Sequence, residues 1–235
     1  MALLDLEKAY DTVWTTGLLY KLIALKIPKY LLLFLRSYLV NRTYTVHIND
    51  THSSPISPTA RLPQGAVLST TLFSLYIADI PHPPNIKLAL YADDIAILSQ
   101  SWRIDTISRR LNSTIALLLR YFKKWKLQVN VPKTELILFT KRRPLQPKPL
   151  QIHNTTLPWS ITVKYLGLRL DSKLLSTKHI QSILHTALGT FLKIFPLLSR
   201  DSQLTISNKT LLYKLLLCSM ITYAAPVWCC TSLTL

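Results

Sequence analysis

The chain has 235 residues, 49% of them apolar, which is enough for one substantial core or two small ones and excludes disorder as the default state. With 28 Lys and Arg against 11 Asp and Glu, its formal net charge of +17 indicates a polyanionic partner, nucleic acid first and an anionic membrane surface second. Three cysteines, two of them adjacent, exclude a disulfide framework and a zinc spacing, so we expect a reducing, intracellular setting and no disulfide partner.

Apolar periodicity predicts strand, helices and a hairpin in the first part of the chain. The opening MALLDL is short and apolar, as in a buried strand. Leucines at helical spacing on either side of Pro28 predict helices over 14–26 and 28–40. The alternating stretch 42–49 then predicts a hairpin strand that returns through Pro- and Ser-rich turns.

The rest of the chain continues to mix strands and helices. Residues 67–79 favour a buried helix, 88–98 favour strand, tight turn and strand, and 104–126 form the clearest amphipathic helix. Two or three short strands (136–140, 150–157, 161–170) and two helices within 173–223 follow. Because there is no regular βαβ rhythm, we expect an α+β fold with an antiparallel sheet packed on helices.

Neither end of the chain predicts membrane insertion. The start MALLDLEKAYD has no basic region followed by a long apolar stretch, so it is not a secretory signal. The longest apolar stretch, 215–230, is shorter than the roughly 20 residues that a bilayer-spanning helix needs, and it contains Pro226. We therefore expect a soluble protein with no membrane partner.

Two adjacent acids, Asp93 and Asp94, stand between the apolar flanks LALY and IAIL. One interpretation is a hairpin turn, where Asp tolerates unusual backbone angles. The other is a cation site, because two like charges near a core repel unless something positive neutralises them. Successive side chains of a strand point to opposite faces, so the pair needs a partner from elsewhere.

Asp5, near the end of the first predicted strand, is that partner if this strand pairs beside the 88–98 hairpin. Pairing of this kind would bring Asp5 and Asp93 together. Three carboxylates on adjacent strands suit Mg²⁺, a hard cation that prefers oxygen ligands and binds substrate phosphates. Two such ions about 3.5–4 Å apart clamp the attacking and leaving oxygens of a phosphoryl displacement.

Glycine is scarce in this chain, so each glycine position is informative about local structure. A chain of this length would hold about 16 glycines at average usage, whereas this one has four: Gly17, Gly65, Gly167 and Gly189. We expect each to occupy a place where a Cβ does not fit. For Gly65, an ordinary turn after Pro-Gln and a close approach of the backbone to a ligand both remain open.

Several segments, in order, resemble a reverse transcriptase of the non-LTR (LINE-type) retrotransposons, and within it the jockey-like group. A four-residue YxDD motif alone is a weak signal, but four ordered motifs are strong, and the resemblance covers nearly the whole chain. The segments are LLDLEKAYDTVW for motif A, LPQGAVLSTTLFSLYIADIP for motif B, YADD for motif C, LQVNVPKTELILFT for motif D, VKYLGLRLD for motif E, and ITYAAPVW for the thumb region.

The resemblance implies roles for individual residues. Asp5 and Asp93 would be the ligands of two Mg²⁺ ions, or Mn²⁺ in their place, with Asp94 a weaker ligand and the carbonyl of Leu6 a further oxygen donor. Tyr10 matches the aromatic residue that stacks under the incoming sugar and excludes a 2′-hydroxyl.

Further roles follow from motifs B and D. Gln64 and Gly65 match the loop that contacts nucleotide and template. Lys133 matches the proton donor to pyrophosphate, with a surface lysine as the alternative. Motif E implies a primer grip at Tyr165, Leu166 and Gly167, with a strand packed on the core as the alternative.

A basic stretch could follow a phosphate backbone. Residues 120–148 hold nine Lys or Arg against the single acid Glu135, and the alternative is a solvated helix face. Its aromatic residues are more often core than base-stacking platforms. The predicted nucleic-acid contacts are Lys123, Lys124, Lys126, Lys141, Arg142 and Arg143.

The resemblance also implies a domain order and an activity. Residues 1–145 would be the polymerase palm, 146–171 the primer-grip strands and 172–235 a helical thumb-like region. The activity would be RNA-directed DNA synthesis from an RNA template, a DNA primer and dNTPs, in the nucleus or cytoplasm. The oligomeric state is left open.

Some features depart from the family pattern. Arg61 stands where the family has Gly, Ala66 where it has Ser, and Thr70 where it has Pro. The sequence begins at motif A, so fingers are expected to be missing, and neither an endonuclease nor an RNase H is visible. These departures favour a second hypothesis, a truncated and inactive remnant that only binds RNA or RNA–DNA duplex.

Overall fold

The computed structural model describes residues 1–40, 42–57, 62–141, 147–152 and 155–229. The fold class is α+β, as predicted. The chain divides into two compact units, Met1–Leu136 with Gln146–Pro158, and Ile137–Leu145 with Trp159–Leu235. The predicted boundaries at residues 145 and 171 divide the chain by function, into palm, primer-grip strands and thumb-like region. They stay a prediction.

The first unit begins with a strand and three helices, continues through a hairpin, and ends in strands. Its elements are β1 (Ala2–Asp5), α1 (Ala9–Thr12), α2 (Thr15–Ala24), α3 (Lys29–Leu39), β2 (His47–Ile48), β3 (Thr51–His52), α4 (Val67–Ile77), β4 (Ile86–Tyr91), β5 (Asp94–Ser99), α5 (Ile104–Lys124), a 3₁₀ turn (Val131–Lys133), β6 (Glu135–Ile137), β7 (Leu150–Ile152) and β8 (Thr155–Leu157).

Strand β1 lies inside the sheet of this unit, in the order β4-β5-β1-β6, and each of these neighbours pairs antiparallel. Its residues Ala2, Leu3 and Leu4 are all buried, which explains why the segment is continuously apolar rather than alternating. Helix α5 packs on β5 and β7 through a stripe of buried apolar residues that includes Leu111 and Leu118. The longest helix of the first unit, α5, thereby covers the side of the sheet on which it contacts β5.

A buried lysine joins three helices of the first unit. Lys21 of α2 is 4% exposed, and its ammonium group donates hydrogen bonds to the Tyr76 carbonyl, to the Asp79 carboxylate and, at 2.7 Å, to the Tyr121 hydroxyl. The same nitrogen lies 3.7 Å from the centre of the Trp125 ring. Burial opposes ionisation of Asp79, but the hydrogen bonds from Lys21 and Tyr121 outweigh burial and lower its pKa. Charge, hydrogen bonds and ring contacts therefore fix α2, α4 and α5 together.

The second unit contains short strands and long helices. Its elements are β9 (Trp159–Ser160), β10 (Thr162–Tyr165), β11 (Leu168–Asp171), α6 (Thr177–Leu198), α7 (Ile206–Leu212), a π-helical turn (Tyr213–Cys218), α8 (Ser219–Thr222) and α9 (Ala225–Trp228). Strands β10 and β11 form an antiparallel hairpin. The Asp171 carboxylate accepts hydrogen bonds from the amides of Lys173, Leu175 and Ser176, so the end of β11 shapes the loop that leads into α6.

Most predicted elements agree with the structure within a few residues, but several predictions are wrong. The segments 150–157 and 161–170 are each two paired strands, not one. The second segment reverses at Leu166 and Gly167, whose φ angles of 45° and 79° are incompatible with a continuous strand. The expectation that every glycine excludes a Cβ fails at Gly65 and Gly189, since a Cβ at either position would meet nothing within 4 Å.

The C-terminal helical segment is longer than the apolar pattern suggested. In the described part of the chain, the helical segment Ile206–Trp228, which is interrupted by the turn at Tyr223 and Ala224, is the one long and apolar enough to cross a membrane by length and composition, and 6% of its most apolar 18-residue window is buried. The sequence estimate was too short because it began at 215. A single such helix is weak evidence for a span, so the absence of a membrane partner stays a prediction.

The Lys21 contacts generate a prediction about stability. Lys21→Ala should lower the free energy of unfolding by about 2–4 kcal/mol, because it removes the hydrogen bond from the ammonium group to the buried Tyr76 carbonyl and leaves a cavity among three aromatic rings. Asp79→Asn should lower it by less than about 1 kcal/mol, because the Asp79 side chain is 55% exposed and water replaces the lost charge. Urea unfolding of both variants measures the difference, and equal losses would contradict the interpretation.

Candidate active site

The predicted acids lie at one end of the β1–β5 pair. Asp5 ends β1 and is the cross-strand partner of Asp94, the first residue of β5. Asp93 lies in the two-residue turn between β4 and β5, and its carbonyl accepts a hydrogen bond from the Leu6 amide at 3.1 Å. The register thus pairs Asp5 with Asp94 rather than with Asp93. It brings all three acids to the same end of the β1–β5 pair.

Their charges interact, as the pKa of Asp94 shows. This pKa is raised, first by burial and then by the negative charges of Asp93 and Asp5, while Lys133 acts in the opposite direction. The negative charges of Asp93 and Asp5 therefore add to burial in opposing ionisation of Asp94. Neighbouring carboxylates of this kind are oxygen donors that fit a hard divalent cation.

The same acids do not form a complete ligand set. Among the residues that the structure describes, no three His, Cys, Asp or Glu side chains gather closely enough to hold a metal ion. An ion bound at Asp5 and its neighbours would take its remaining ligands from water or substrate phosphates, as Mg²⁺ commonly does.

Lys133 lies beside the acids. Its ammonium nitrogen is 3.4 Å from an Asp5 carboxylate oxygen, and its side chain is 70% exposed. Lys133 ends the 3₁₀ turn that follows Asn130, whose amide donates to the Asp5 carbonyl at 2.8 Å. The backbone of the predicted motif D is thereby fixed to the strand that carries Asp5.

Three of the four predicted nucleotide residues line one open pocket, and the fourth, Leu6, is a buried residue outside its lining. The pocket has a volume of about 600 Å³, and its lining residues are Tyr10, Gln64, Gly65, Ala66, Val67, Ser69 and Thr70. Tyr10 packs on Phe73 with ring centroids 5.3 Å apart. Burial and the nearby charge of Asp93 raise the pKa of Tyr10, which indicates that the pocket and the acids are neighbours.

Backbone contacts hold the Gln64 loop in place. The Leu62 amide donates to the Tyr10 carbonyl at 3.1 Å, which ties the start of the loop to α1. Gly65 has a φ of +81° and nothing within 4 Å of the position of a Cβ, so its requirement is conformational rather than steric. Ser69, in the first turn of α4, adds a buried hydroxyl with no hydrogen-bond partner among the described residues. The pocket lining therefore includes one unsatisfied polar group next to the Gln64 loop.

Sequence reasoning missed Asp11. Its carboxylate accepts a hydrogen bond from the Gln64 side-chain amide at 2.8 Å, across 53 positions of sequence. Asp11 follows Tyr10 directly in α1, so one short helix provides both the aromatic wall of the pocket and the partner that orients Gln64. Only its presence within the motif A segment could have drawn attention to it.

The predicted primer grip is the turn of the β10–β11 hairpin in the second unit. Tyr165 ends β10, and Leu166 and Gly167 form the turn. The Leu166 carbonyl accepts a hydrogen bond from the Tyr223 hydroxyl at 2.9 Å. Tyr223 is a second residue that sequence reasoning did not single out.

The predicted basic contacts divide between the two units. Lys123 and Lys124 end α5, and Lys126 follows it with its nitrogen 4.4 Å from the centre of the Trp14 ring. Lys123 and Lys126 line a cleft of about 750 Å³ together with Arg120. Phe122 and Trp125 are buried and belong to the core rather than to a stacking surface. Lys141 is exposed in the second unit, and Arg142 and Arg143 lie outside the described residues, as does Arg61.

Comparisons with known proteins agree with the motifs. The family described as reverse transcriptase (RNA-dependent DNA polymerase) matches residues 1–170. The chain is 31% identical over 234 residues to the RNA-directed DNA polymerase from mobile element jockey of Drosophila funebris, covering 96% of this chain and 25% of that protein. It is 32% identical over 235 residues to the probable RNA-directed DNA polymerase from transposon BS of Drosophila melanogaster, with the same coverage. The chain therefore spans about a quarter of the length of the curated relatives it matches.

The coupled acids generate a prediction about pH. Because the pKa of Asp94 is raised in the folded state, its ionised form destabilises the protein, and this cost appears as the pH rises from the ordinary value of 3.8 through the raised one. Asp94→Asn should therefore increase the free energy of unfolding at pH 7, on the order of 0.5 kcal/mol after solvent screening. The gain should vanish near pH 3, where the Asp94 carboxyl is protonated and is therefore as neutral as the asparagine that replaces it.

The matched control is Asp50→Asn in the exposed turn between β2 and β3, which makes the same change at an acid outside the β1–β5 pair. Urea unfolding at pH 7, 5 and 3 makes the measurement. A gain from Asp94→Asn that persists unchanged at pH 3 would show that charge repulsion is not its cause.

Proposed function

The chain belongs to the reverse transcriptase (RNA-dependent DNA polymerase) family, and from that membership we propose that it carries the nucleotidyl-transfer centre of a non-LTR retrotransposon polymerase. The observation that carries the proposal is the β1–β5 register, which sets Asp5 opposite Asp94 with Asp93 in the adjoining turn and Lys133 at 3.4 Å from Asp5. Acids and an exposed cation at one end of neighbouring strands suit phosphoryl chemistry.

The reaction joins a primer to a nucleotide. The primer 3′-oxygen forms a bond to the α-phosphorus of a dNTP, the bond from that phosphorus to the bridging oxygen of the β-phosphate breaks, and pyrophosphate leaves. The primer hydroxyl loses its proton to solvent or a nearby base, and Lys133 gives a proton to the leaving pyrophosphate. The exposed side chain of Lys133 can reach substrate without disturbing the core.

Asp5, Asp93 and the Leu6 carbonyl would hold the two Mg²⁺ ions, or Mn²⁺ in their place, with Asp94 as a weaker ligand. When bound, such ions neutralise charge on the attacking and leaving oxygens of the displacement. The residues of the chain contribute by fixing the donors: the Leu6 amide to Asp93 carbonyl hydrogen bond holds the turn against the end of β1. Rigid donors need no rearrangement when charge develops.

The pocket lined by Tyr10, Gln64 and Gly65 would take the incoming nucleotide. The Tyr10 ring, supported by Phe73, forms a wall that would lie under the sugar and exclude a 2′-hydroxyl. Asp11 holds the Gln64 amide in one orientation, so Gln64 reaches the ligand without first ordering its side chain.

The remaining contacts would be made by template and primer. The β10–β11 turn would position the primer end, and Lys123, Lys124, Lys126 and Lys141 would contact backbone phosphates. In this assignment residues 1–145 are the palm, 146–171 the primer-grip strands and 172–235 a helical thumb-like region. Use of an RNA template would require an intracellular location, in the nucleus or cytoplasm.

A binding-only protein is the second candidate. It is favoured by the observation that the acids do not gather into a three-residue ligand set among the described residues. In that case the basic residues at the end of α5 would still attract RNA or RNA–DNA duplex, because charge attraction does not require catalysis.

Primer extension distinguishes the two candidates. With a poly(A) template, an oligo(dT) primer, Mg²⁺ and dTTP, the chain should extend the primer, and an Asp93→Ala, Asp94→Ala variant should lose at least about 100-fold in rate because the donors that hold metal are gone. Asp50→Asn serves as the matched acidic control and should keep full activity.

Two results of the primer-extension assay would contradict the polymerase assignment in different ways. Extension that survives the double substitution would contradict the assignment of the acids. Absence of extension in the unaltered chain, with duplex binding retained, would establish the binding-only candidate in its place.

Salt dependence tests the basic contacts. Replacing Lys123, Lys124 and Lys126 together by Gln should reduce the slope of log affinity against log salt for a duplex by about 0.9 for each lysine that contacts a phosphate. Lys29→Gln, on an exposed helix start in the same unit, is the control. Fluorescence anisotropy between 50 and about 300 mM salt measures the slope. An unchanged slope would assign these lysines to a solvated helix face.

A further inference from the structure

The turn of the β10–β11 hairpin is fastened from a distant part of the second unit. The Tyr223 hydroxyl donates a hydrogen bond of 2.9 Å to the Leu166 carbonyl, across 57 positions of sequence. The Tyr223 ring lies against Gly167, where an added Cβ would come within 3.2 Å of the ring carbon Cε1. One side chain therefore contacts both residues of the turn.

The turn has a conformation that needs such support. Leu166 and Gly167 both have positive φ angles, 45° and 79°. Glycine adopts this region readily, but a leucine in it is strained by about 1–2 kcal/mol. The hydrogen bond from Tyr223 is accepted by the carbonyl of the strained residue itself, so it stabilises the peptide group whose orientation defines the turn.

Tyr223 is itself held by contacts that return to the same hairpin. Its carbonyl accepts a 2.9 Å hydrogen bond from the Trp228 indole nitrogen. The Trp228 ring meets the His179 ring edge to face, with centroids 6.0 Å apart. His179 is buried, and its Nδ1 accepts a hydrogen bond of 3.4 Å from the amide of Arg169 in β11. These contacts connect the Leu166–Gly167 turn to Tyr223 and Trp228, then to His179 in α6, and from His179 back to strand β11.

The chain changes direction at Tyr223. Helix α8 ends at Thr222, Ala224 has a φ of 51°, and α9 begins at Ala225. At this break the Tyr223 hydroxyl reaches the Leu166 carbonyl of the hairpin.

We propose that Tyr223 is a positioning residue for the primer end: it fixes the Leu166–Gly167 turn in the one orientation that receives the recessed 3′ terminus of a template–primer duplex. The inference rests on the proposed function, because the role of the turn comes from there. Tyr223 does not touch the reacting atoms in this assignment. It acts through the turn, whose order it maintains.

The experiment compares Tyr223→Phe, which removes only the hydroxyl, with Tyr213→Phe, a matched change on the same helical segment. The first readout is hydrogen–deuterium exchange of the 162–171 hairpin. The second is the affinity for a duplex with a recessed 3′ end relative to a blunt duplex of the same length. Neither readout requires catalysis, and thermal unfolding verifies that each variant is folded.

Tyr223→Phe should speed exchange at the turn and reduce the preference for the recessed end by about three- to tenfold, the range expected for one hydrogen bond. Tyr213→Phe should leave both unchanged. Gly167→Ala provides a second approach from the other side of the contact, because its methyl group would displace the Tyr223 ring, and it should produce the same two losses.

The primer-grip role of the turn and the positioning role of Tyr223 are contradicted by different results. If the unaltered chain shows no preference for a recessed end, the primer-grip assignment is wrong and the inference falls with it. If the preference exists but Tyr223→Phe retains it, or weakens recessed and blunt duplexes equally, Tyr223 has no positioning role and the primer-grip assignment stands. Faster exchange with an unchanged preference also overturns the inference, since the turn would then be ordered without consequence for the primer.

Discussion

The antiparallel pairing of β1 with β5 is the constraint on which the candidate active site depends. In a strand, a shift of one residue moves every side chain to the opposite face, so the pairing of Leu3 with Ala96 and Leu4 with Ile95 also decides where Asp5 lies. The buried apolar residues fix the register because exposing them costs free energy. The acids at the strand end then follow from packing, and they need no attraction of their own to meet.

The Lys21 cluster joins α2 and α4 to α5, the helix that packs on strand β5 of this register. Lys21 holds α2 to the residues that follow α4 and to α5, through hydrogen bonds and ring contacts around one buried charge. Helix α5 in turn packs on β5, the strand that begins with Asp94. A charge buried at 4% exposure is stable only when its partners are fully in place, so this cluster favours a single arrangement of the three helices over near alternatives.

What could be predicted from sequence was mainly local. The acids at 5, 93 and 94 interrupt apolar runs, and the helices at 67–79 and 104–126 have a clear period, so each signal lies within a short window. The contacts that shape the sites join residues far apart: Lys21 with Asp79, Gln64 with Asp11, and Tyr223 with Leu166 are separated by 58, 53 and 57 positions. Single polar contacts at such separations leave no periodic pattern. The hairpin at 162–171 was missed for a related reason, since Leu166 in the turn looks like a strand residue.

Backbone strain accompanies the acids of the candidate active site, because the hairpin turn before Asp94 has alanine at a position that favours glycine. Ala92, directly before Asp93, has a φ of 50°, and Lys8, three residues beyond the end of β1, has a φ of 46°. Each left-handed non-glycine residue costs about 1–2 kcal/mol, and such residues persist only where surrounding contacts determine the backbone. Here the hydrogen bonds of the Leu6 and Glu7 amides provide those contacts. Glycine at 92 would relieve the strain but would also widen the freedom of the turn in the unfolded and folded states. Alanine restricts the turn, and the residue whose position it restricts most directly is Asp93.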